Sequence, residues 1–292
     1  MTDQAVAGPD AAARRRTTRE LVAYFALTFA ITFGLGGAFI FFRPQFEALF
    51  GTIRSPDTSW FYFVAVCAPT ISAVLVSAVF GGWKGVRDLF SGLIRPFRLR
   101  WAFAGLLSFP AGLLIWGLVE RYVFGHAASP SVDIHAILIS APLLLFTTGN
   151  IFLDPGPWGE ETGWRGFALP RLLARFSPLT AALLLGAIWG VWHTSAFFVS
   201  GLVQSGYNYA LFVAASVLDT VLMTWIYVNA NRNYLVAGFF VHLMNNTMVG
   251  AHAFTDIRVQ ALVLLVIAVA IVAAFGPSLR GWRFVPATPK PD

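Results

Sequence analysis

Long apolar runs alternate with short polar connections marked by glycine and proline. Runs of roughly 20 residues, enough for a helix to cross a ~30 Å hydrocarbon core, fall at about 21–42, 60–80, 101–124, 135–153, 178–200, 209–229, 234–252 and 259–276. Breakers stand between them: Pro44, Pro56, Gly81-Gly82, Pro96, Pro130, Asp154-Pro155-Gly156-Pro157, Gly206 and Gly276-Pro277. The pattern predicts an all-α polytopic membrane protein, a bundle of about eight transmembrane helices. Between the second and third runs, residues 83–100 interleave Trp83, Val86, Leu89, Phe90, Leu93 and Phe97 with basic residues at helical spacing, which predicts an interfacial helix.

Composition agrees. With 57% hydrophobic and 12% charged residues and a mean hydropathy of +0.70, the 292 residues do not form two soluble domains. The net charge of +6 reads as topology and not as nucleic-acid binding, because the basic residues sit in clusters flanking apolar runs. Placing the N-terminus inside puts sixteen of the 20 lysines and arginines in cytoplasmic pieces, leaving Arg43, Arg54, Arg121 and Arg258 outside. The expectation is a multi-pass protein of the cell membrane with both termini cytoplasmic. Residues 1–20 are expected to be a disordered tail, 21–276 a single transmembrane domain and 277–292 a cytoplasmic tail. No cleavable signal peptide is evident, since the apolar stretch after Arg14–Arg16 and Arg19 is too long for a signal core. The single cysteine, Cys67, excludes an intrachain disulfide and a multi-thiolate metal site.

Against this background a few polar groups stand out. Glu160 and Glu161 sit in Gly159-Glu-Glu-Thr-Gly-Trp-Arg-Gly-Phe167; ionised carboxylates cost several kcal/mol to bury without partners. The fifth run carries Trp189-Gly-Val-Trp-His193, and the seventh His242-Leu-Met-Asn245-Asn246. Residues four apart share a helix face, so Glu161 can pair with Arg165, and His242 and Asn246 can point into one cavity. Such a set has the parts for hydrolysis: a carboxylate to take a proton from water, an imidazole to hold the water or a metal, and an amide or imidazole N–H to stabilise an oxyanion. Taken singly, each has a plainer reading: a helix-capping acid pair, a packing histidine, an interhelical asparagine. Asp219 in the sixth run reads equally as a supporting partner or a packed, protonated acid.

The three spacings, Glu160-Glu161-x-x-x-Arg165, Trp189-x-x-x-His193 and His242-x-x-x-Asn246, occur in the order that marks the CAAX prenyl protease and bacteriocin-processing group of intramembrane proteases, also labelled abortive-infection proteins. The chain resembles that family over about residues 140–250. Two features depart from it: Thr194-Ser195 stands where many relatives carry a proline after the first histidine, and Asp219 is an additional acid. The resemblance implies an endopeptidase acting on a membrane-associated peptide or protein in the bilayer, in a cavity open toward the cytoplasmic leaflet. It implies that Glu160, with His193, activates the water, and that His242 and Asn246 support the oxyanion or help bind a metal. If zinc is used, Glu160, His193 and His242 are the implied ligands, and a metal-free glutamate mechanism stands equally open. Rival readings are a non-catalytic immunity or regulatory binding protein, and a transporter using the acids as a proton relay; no inverted repeat supports the latter.

Overall fold

The computed structural model describes residues 9–50, 59–126, 131–139 and 154–280. Helix α1 (Pro9–Phe41) leads into a short α2 (Arg43–Phe50), followed by α3 (Trp60–Ser91) and α4 (Leu99–Tyr122). Next comes a helical stretch over 155–173: α5 (Pro155–Glu161), a π-helical segment Thr162–Ala168, and α6 (Leu169–Leu173). The chain continues with α7 (Pro178–Trp192), two 3₁₀ turns, α8 (Tyr209–Asn229), a π-helical turn Leu235–Phe239 running into α9 (Phe240–Gly250), and α10 (Ile257–Phe275). The architecture is the expected all-α membrane bundle. Among the described residues six helices are long and apolar enough to cross a membrane, and Leu235–Gly250 is a shorter apolar one.

The breaker residues become helix caps. Asp154 accepts the Gly156 N–H at 2.9 Å, with Pro155 opening α5, and Ser177 accepts from Thr180 ahead of α7, which starts at Pro178. Asn208 and Asp256 cap α8 and α10 in the same way.

The principal difference from the sequence reading follows the fourth run. Of 135–153, only a short helix at 134–139 falls among the described residues, and 140–153 lie outside them. A helical stretch that the sequence reading did not predict spans 155–173, whose 19 residues measure about 28 Å at 1.5 Å per residue. It is buried at most positions, lying along α3 and against α7, α9 and the Leu235–Phe239 turn. A helix wrapped by protein meets little lipid, so it need not be apolar, and a hydropathy window passes over it. Gly159 and Gly163 permit this packing: a Cβ on Gly159 would lie 2.8 Å from the Val66 carbonyl, and one on Gly163 2.5 Å from Pro69 backbone. Arg165, expected in a cytoplasmic segment, is therefore in the interior, with no exposed surface.

Two smaller differences concern the polar ends. α1 starts at Pro9, so residues 9–20 of the expected tail are helical, consistent with the helix-forming run Ala11–Arg16. The expected interfacial helix at 83–100 is the last part of α3, set off by a kink at Gly82 (φ +58°), and it ends at Ser91. The tail from 281 onward lies outside the described residues.

Candidate active site

Three elements bring the singled-out polar residues to one place: the α5–π–α6 stretch, the C-terminal end of α7, and α9. They border a cavity of about 310 Å³ whose wall includes Glu160, His193, His242, Asn246, Asp154 and Asp219. Glu161 and Arg165 stand behind this wall, and Asn245 lines it as well, its amide oxygen accepting from Gln260 at 2.8 Å. His126, His135 and His252 are exposed and are not among the lining residues.

Trp189 is the post around which the cluster is built. Its indole N–H donates to Glu160 Oε2 at 2.6 Å, the Arg165 guanidinium lies over its ring at 4.4 Å, and both imidazoles sit 5.6 Å from its centroid. In the sequence its spacing of four from His193 is the available signal. Among the described residues Glu160 Oε1 has no hydrogen-bond partner, so one carboxylate oxygen is anchored and the other is left at the cavity wall.

Glu161 is held in a different way. Its Oε1 accepts from Arg165 Nη1 at 3.0 Å and from His242 Nδ1 at 2.8 Å, and Arg165 Nη2 donates to Thr220 Oγ1 at 2.9 Å. The Glu161–Arg165 pair has 1% and 0% side-chain exposure. A buried pair of this kind is strongly destabilising to break, because each charge would be left uncompensated. Thr220 was not singled out from the sequence; a threonine in an apolar helix gives no signal until its neighbour is known. Gly238 is also part of the arrangement, since a Cβ there would overlap Glu161 Oε2.

Both histidines have one ring nitrogen committed. His193 Nδ1 lies 2.9 Å from the Trp189 carbonyl, which can only accept, so Nδ1 carries the proton and Nε2 a lone pair. His242 Nδ1 donates to Glu161, leaving Nε2 for the cavity, where a Cβ on Gly156 would lie 3.1 Å from it and 3.0 Å from Asn246 Nδ2. Gly156 thus preserves a hollow in front of these two groups. Asn246 Nδ2 donates to Asp154 Oδ2 at 2.9 Å, so the helix-capping aspartate also orients the asparagine and leaves its second N–H free. Asp154 reads from sequence as a helix-end residue, and its second role needs the fold. Asp219, 2% exposed, has no partner on Oδ2.

The free Nε2 atoms have the pattern of metal-ligating histidines backed by a carbonyl and a carboxylate. The donor set does not complete a zinc site, however: among the described residues no three His, Cys, Asp or Glu side chains are grouped to hold a metal ion, and the Trp189 indole packs against both imidazoles.

The cavity lies where α1 and α7 end and α3, α8 and α10 begin, as its lining by Gly36, Phe61, Ser195, Tyr207 and Gln260 shows. The arginine-rich segments, at the start of α1, the end of α3 and the turn after α8, occupy the opposite end. The sequence expectation placed cavity and basic clusters on one side; it fails because the acidic pair sits near the start of an embedded helix and not in a basic loop.

A family model described as "Type II CAAX prenyl endopeptidase Rce1-like" matches residues 140–248, the span that contains every motif residue. A protein named CAAX prenyl protease 2 from Methanococcus maripaludis is 25% identical over 240 residues, covering 76% of this chain and 81% of the relative. Over residues 140–248, the span that brings the Glu-Glu-x-x-x-Arg, Trp-x-x-x-His and His-x-x-x-Asn residues to one place, the chain is similar to the CAAX protease family of intramembrane endopeptidases.

Proposed function

We propose that the chain hydrolyses a peptide bond of a membrane-associated substrate at the Glu160 cavity by a glutamate-activated water. Glu160, held through Oε2 by Trp189, takes a proton from water on Oε1, and the His193 Nε2 lone pair holds and orients that water. The water oxygen attacks the scissile carbonyl carbon. The resulting oxyanion accepts from the free Asn246 N–H and, when His242 carries both protons, from its Nε2–H, with Glu161 compensating the imidazolium from behind. The C–N bond then breaks as Glu160 passes its proton to the leaving nitrogen. Glu161 and Arg165 orient and balance charge without touching the substrate. The observation carrying this reading is that Glu160, His193, His242 and Asn246, from three separate elements, line one cavity.

With the basic end at the cytoplasm, where both termini then lie, the cavity opens in the outer half of the bilayer. The substrate is then a peptide segment reaching that leaflet, whereas a prenylated cytoplasmic C-terminus approaches from the other side. Labelling a Ser205→Cys variant in intact cells with a membrane-impermeant maleimide tests the orientation, with the wild type reporting background from Cys67. Labelling before lysis is expected; labelling only after lysis reverses the orientation.

Cleavage itself is tested by incubating the purified protein in proteoliposomes with a library of membrane-associated peptides and sequencing the products. Internal cleavage is expected, undiminished by a chelator. Loss of cleavage with the chelator and its return with zinc would replace the metal-free step. An uncut library, together with a biological effect that survives Glu160→Gln, would favour the non-catalytic immunity or regulatory role.

A further inference from the structure

The end of the bundle remote from the candidate active site holds a second cavity, of about 620 Å³. Its wall carries Arg16 from α1, Lys84 from α3, Arg95 from the connection after α3, Arg171 from α6 and Arg232 from the turn after α8. Glu20 and Asp88 are the acids of the lining. Glu20 accepts from both Arg16 (2.9 Å) and Arg171 (2.7 Å), and Asp88 pairs with Lys84 at 2.6 Å. Arg95 and Arg232 have no acidic partner among the described residues, so the cavity keeps a net positive charge.

The backbone around it ties the segments that carry those two arginines to each other. Asn231 and Arg232 both take left-handed conformations, at φ +55° and +56°, which bear a cost for non-glycine residues and persist only where neighbours enforce them. The enforcing contacts run to the segment that carries Arg95: Asn233 Nδ2 donates to the carbonyls of Leu93 (3.0 Å) and Arg95 (2.6 Å), and Asn231 Nδ2 to that of Pro96 (3.2 Å). Arg95, Arg171 and Arg232 all lie within electrostatic reach of the Tyr227 hydroxyl, which lines the cavity together with Ser77 and Tyr234. The kink at Gly82 interrupts the α3 hydrogen-bond ladder, and the Phe80 carbonyl accepts instead from Arg16 Nη2 at 2.6 Å, fixing that side chain at the rim. Strained backbone, tethers and hydroxyls thus surround two arginines of one cavity that have no acidic partner among the described residues.

We propose that this cavity binds a phosphate-bearing group, held by Arg95 and Arg232 with hydroxyl donors beside them. Guanidinium groups match phosphate oxygens in paired hydrogen bonds, and the cavity sits at the membrane end where anionic headgroups and soluble phosphates both have access. The site is independent of the cleavage chemistry.

The full-length protein in detergent, titrated with phosphatidylglycerol micelles, phosphatidylcholine micelles or inorganic phosphate, tests this by thermal unfolding and by native mass spectrometry. Expected is a rise in unfolding temperature with phosphatidylglycerol and not with phosphatidylcholine, with phosphatidylglycerol affinity weakened on the order of tenfold in Arg95→Gln/Arg232→Gln. A rise with inorganic phosphate alone, abolished by the same double substitution, assigns the site to a soluble phosphate. A control, Arg98→Gln/Arg100→Gln, removes equal charge from exposed positions nearby and is expected to leave binding unchanged. If both double variants bind as wild type, or lose binding equally, or if no probe shifts the wild type, the proposal is overturned. The uncomplexed unfolding temperature of each variant separates weakened binding from misfolding.

Discussion

Gly238→Ala is a small perturbation with a large expected effect on turnover. Besides overlapping Glu161 Oε2, the added methyl would lie 3.0 Å from Cδ and 3.2 Å from Cγ of that side chain. Carbon–carbon contact is comfortable at about 3.5–4 Å, so the carboxyl group must retreat by roughly half an ångström at Cδ and more at its oxygens. It cannot do so freely, because Oε1 is tied to Arg165 at 3.0 Å and to His242 at 2.8 Å. The shift therefore passes to His242, whose Nε2 faces the cavity. A displacement near 1 Å at a catalytic group costs on the order of 10²-fold, and overpacking costs about 1–3 kcal/mol of stability. The assay is cleavage of a quenched membrane peptide in proteoliposomes, with thermal unfolding in parallel. The expected result is kcat lowered about 10²-fold, KM little changed and a folded protein. Gly250→Ala in the same helix, where a Cβ meets nothing within 4 Å, is the control and should keep full activity. Wild-type turnover by Gly238→Ala would refute the claim that Glu161 sets the position of His242.

Trp189→Phe keeps an aromatic ring and removes the N–H that Glu160 accepts; losing a hydrogen bond to a charged group predicts a fall in kcat of about 10–100-fold in a protein that stays folded by thermal unfolding. Arg165→Met takes the guanidinium from buried Glu161, leaving it His242 alone, and should cost about 3–5 kcal/mol, and Glu161→Gln added to it should restore part of that; additive losses in a denaturant double-mutant cycle would contradict the pair. Asp154→Ala removes both the cap and the Asn246 anchor, costing about 1 kcal/mol of stability as well as activity. Asp154→Ser keeps a good cap and should recover the stability without recovering kcat, which a side-by-side measurement of unfolding and turnover decides.

The helices facing lipid were legible because their exterior must be apolar: α1, α3, α4, α7, α8 and α10 all coincide with long hydrophobic runs. The central stretch 155–173 was not, since a helix shielded on most sides is free to carry Glu160, Glu161 and Arg165, and its composition resembles a loop. The Glu161–Arg165 contact was readable from the four-residue spacing, as was the shared face of His242 and Asn246. What the sequence did not reveal depends on contacts between distant segments. Trp189 reaches back 29 residues to Glu160, Thr220 lies 55 residues from Arg165, and Asp154 lies 92 from Asn246. The glycines at 156 and 238 are intelligible only once the groups they make room for are in place. The separation of the cavity from the basic segments was not legible for the same reason, because it depends on the depth of the acidic pair along an unrecognised helix.

The central claim is that Glu160 makes a buried water reactive, and the most direct measurement is the turnover of Glu160→Gln beside wild type in the same proteoliposomes. Glutamine keeps the shape and can still accept from Trp189 but cannot take the proton, so cleavage should fall by at least about 10²–10⁴-fold, the range of general-base catalysis, with helicity and unfolding temperature retained. A folded Glu160→Gln protein that cuts the same bond at the wild-type rate would contradict the account.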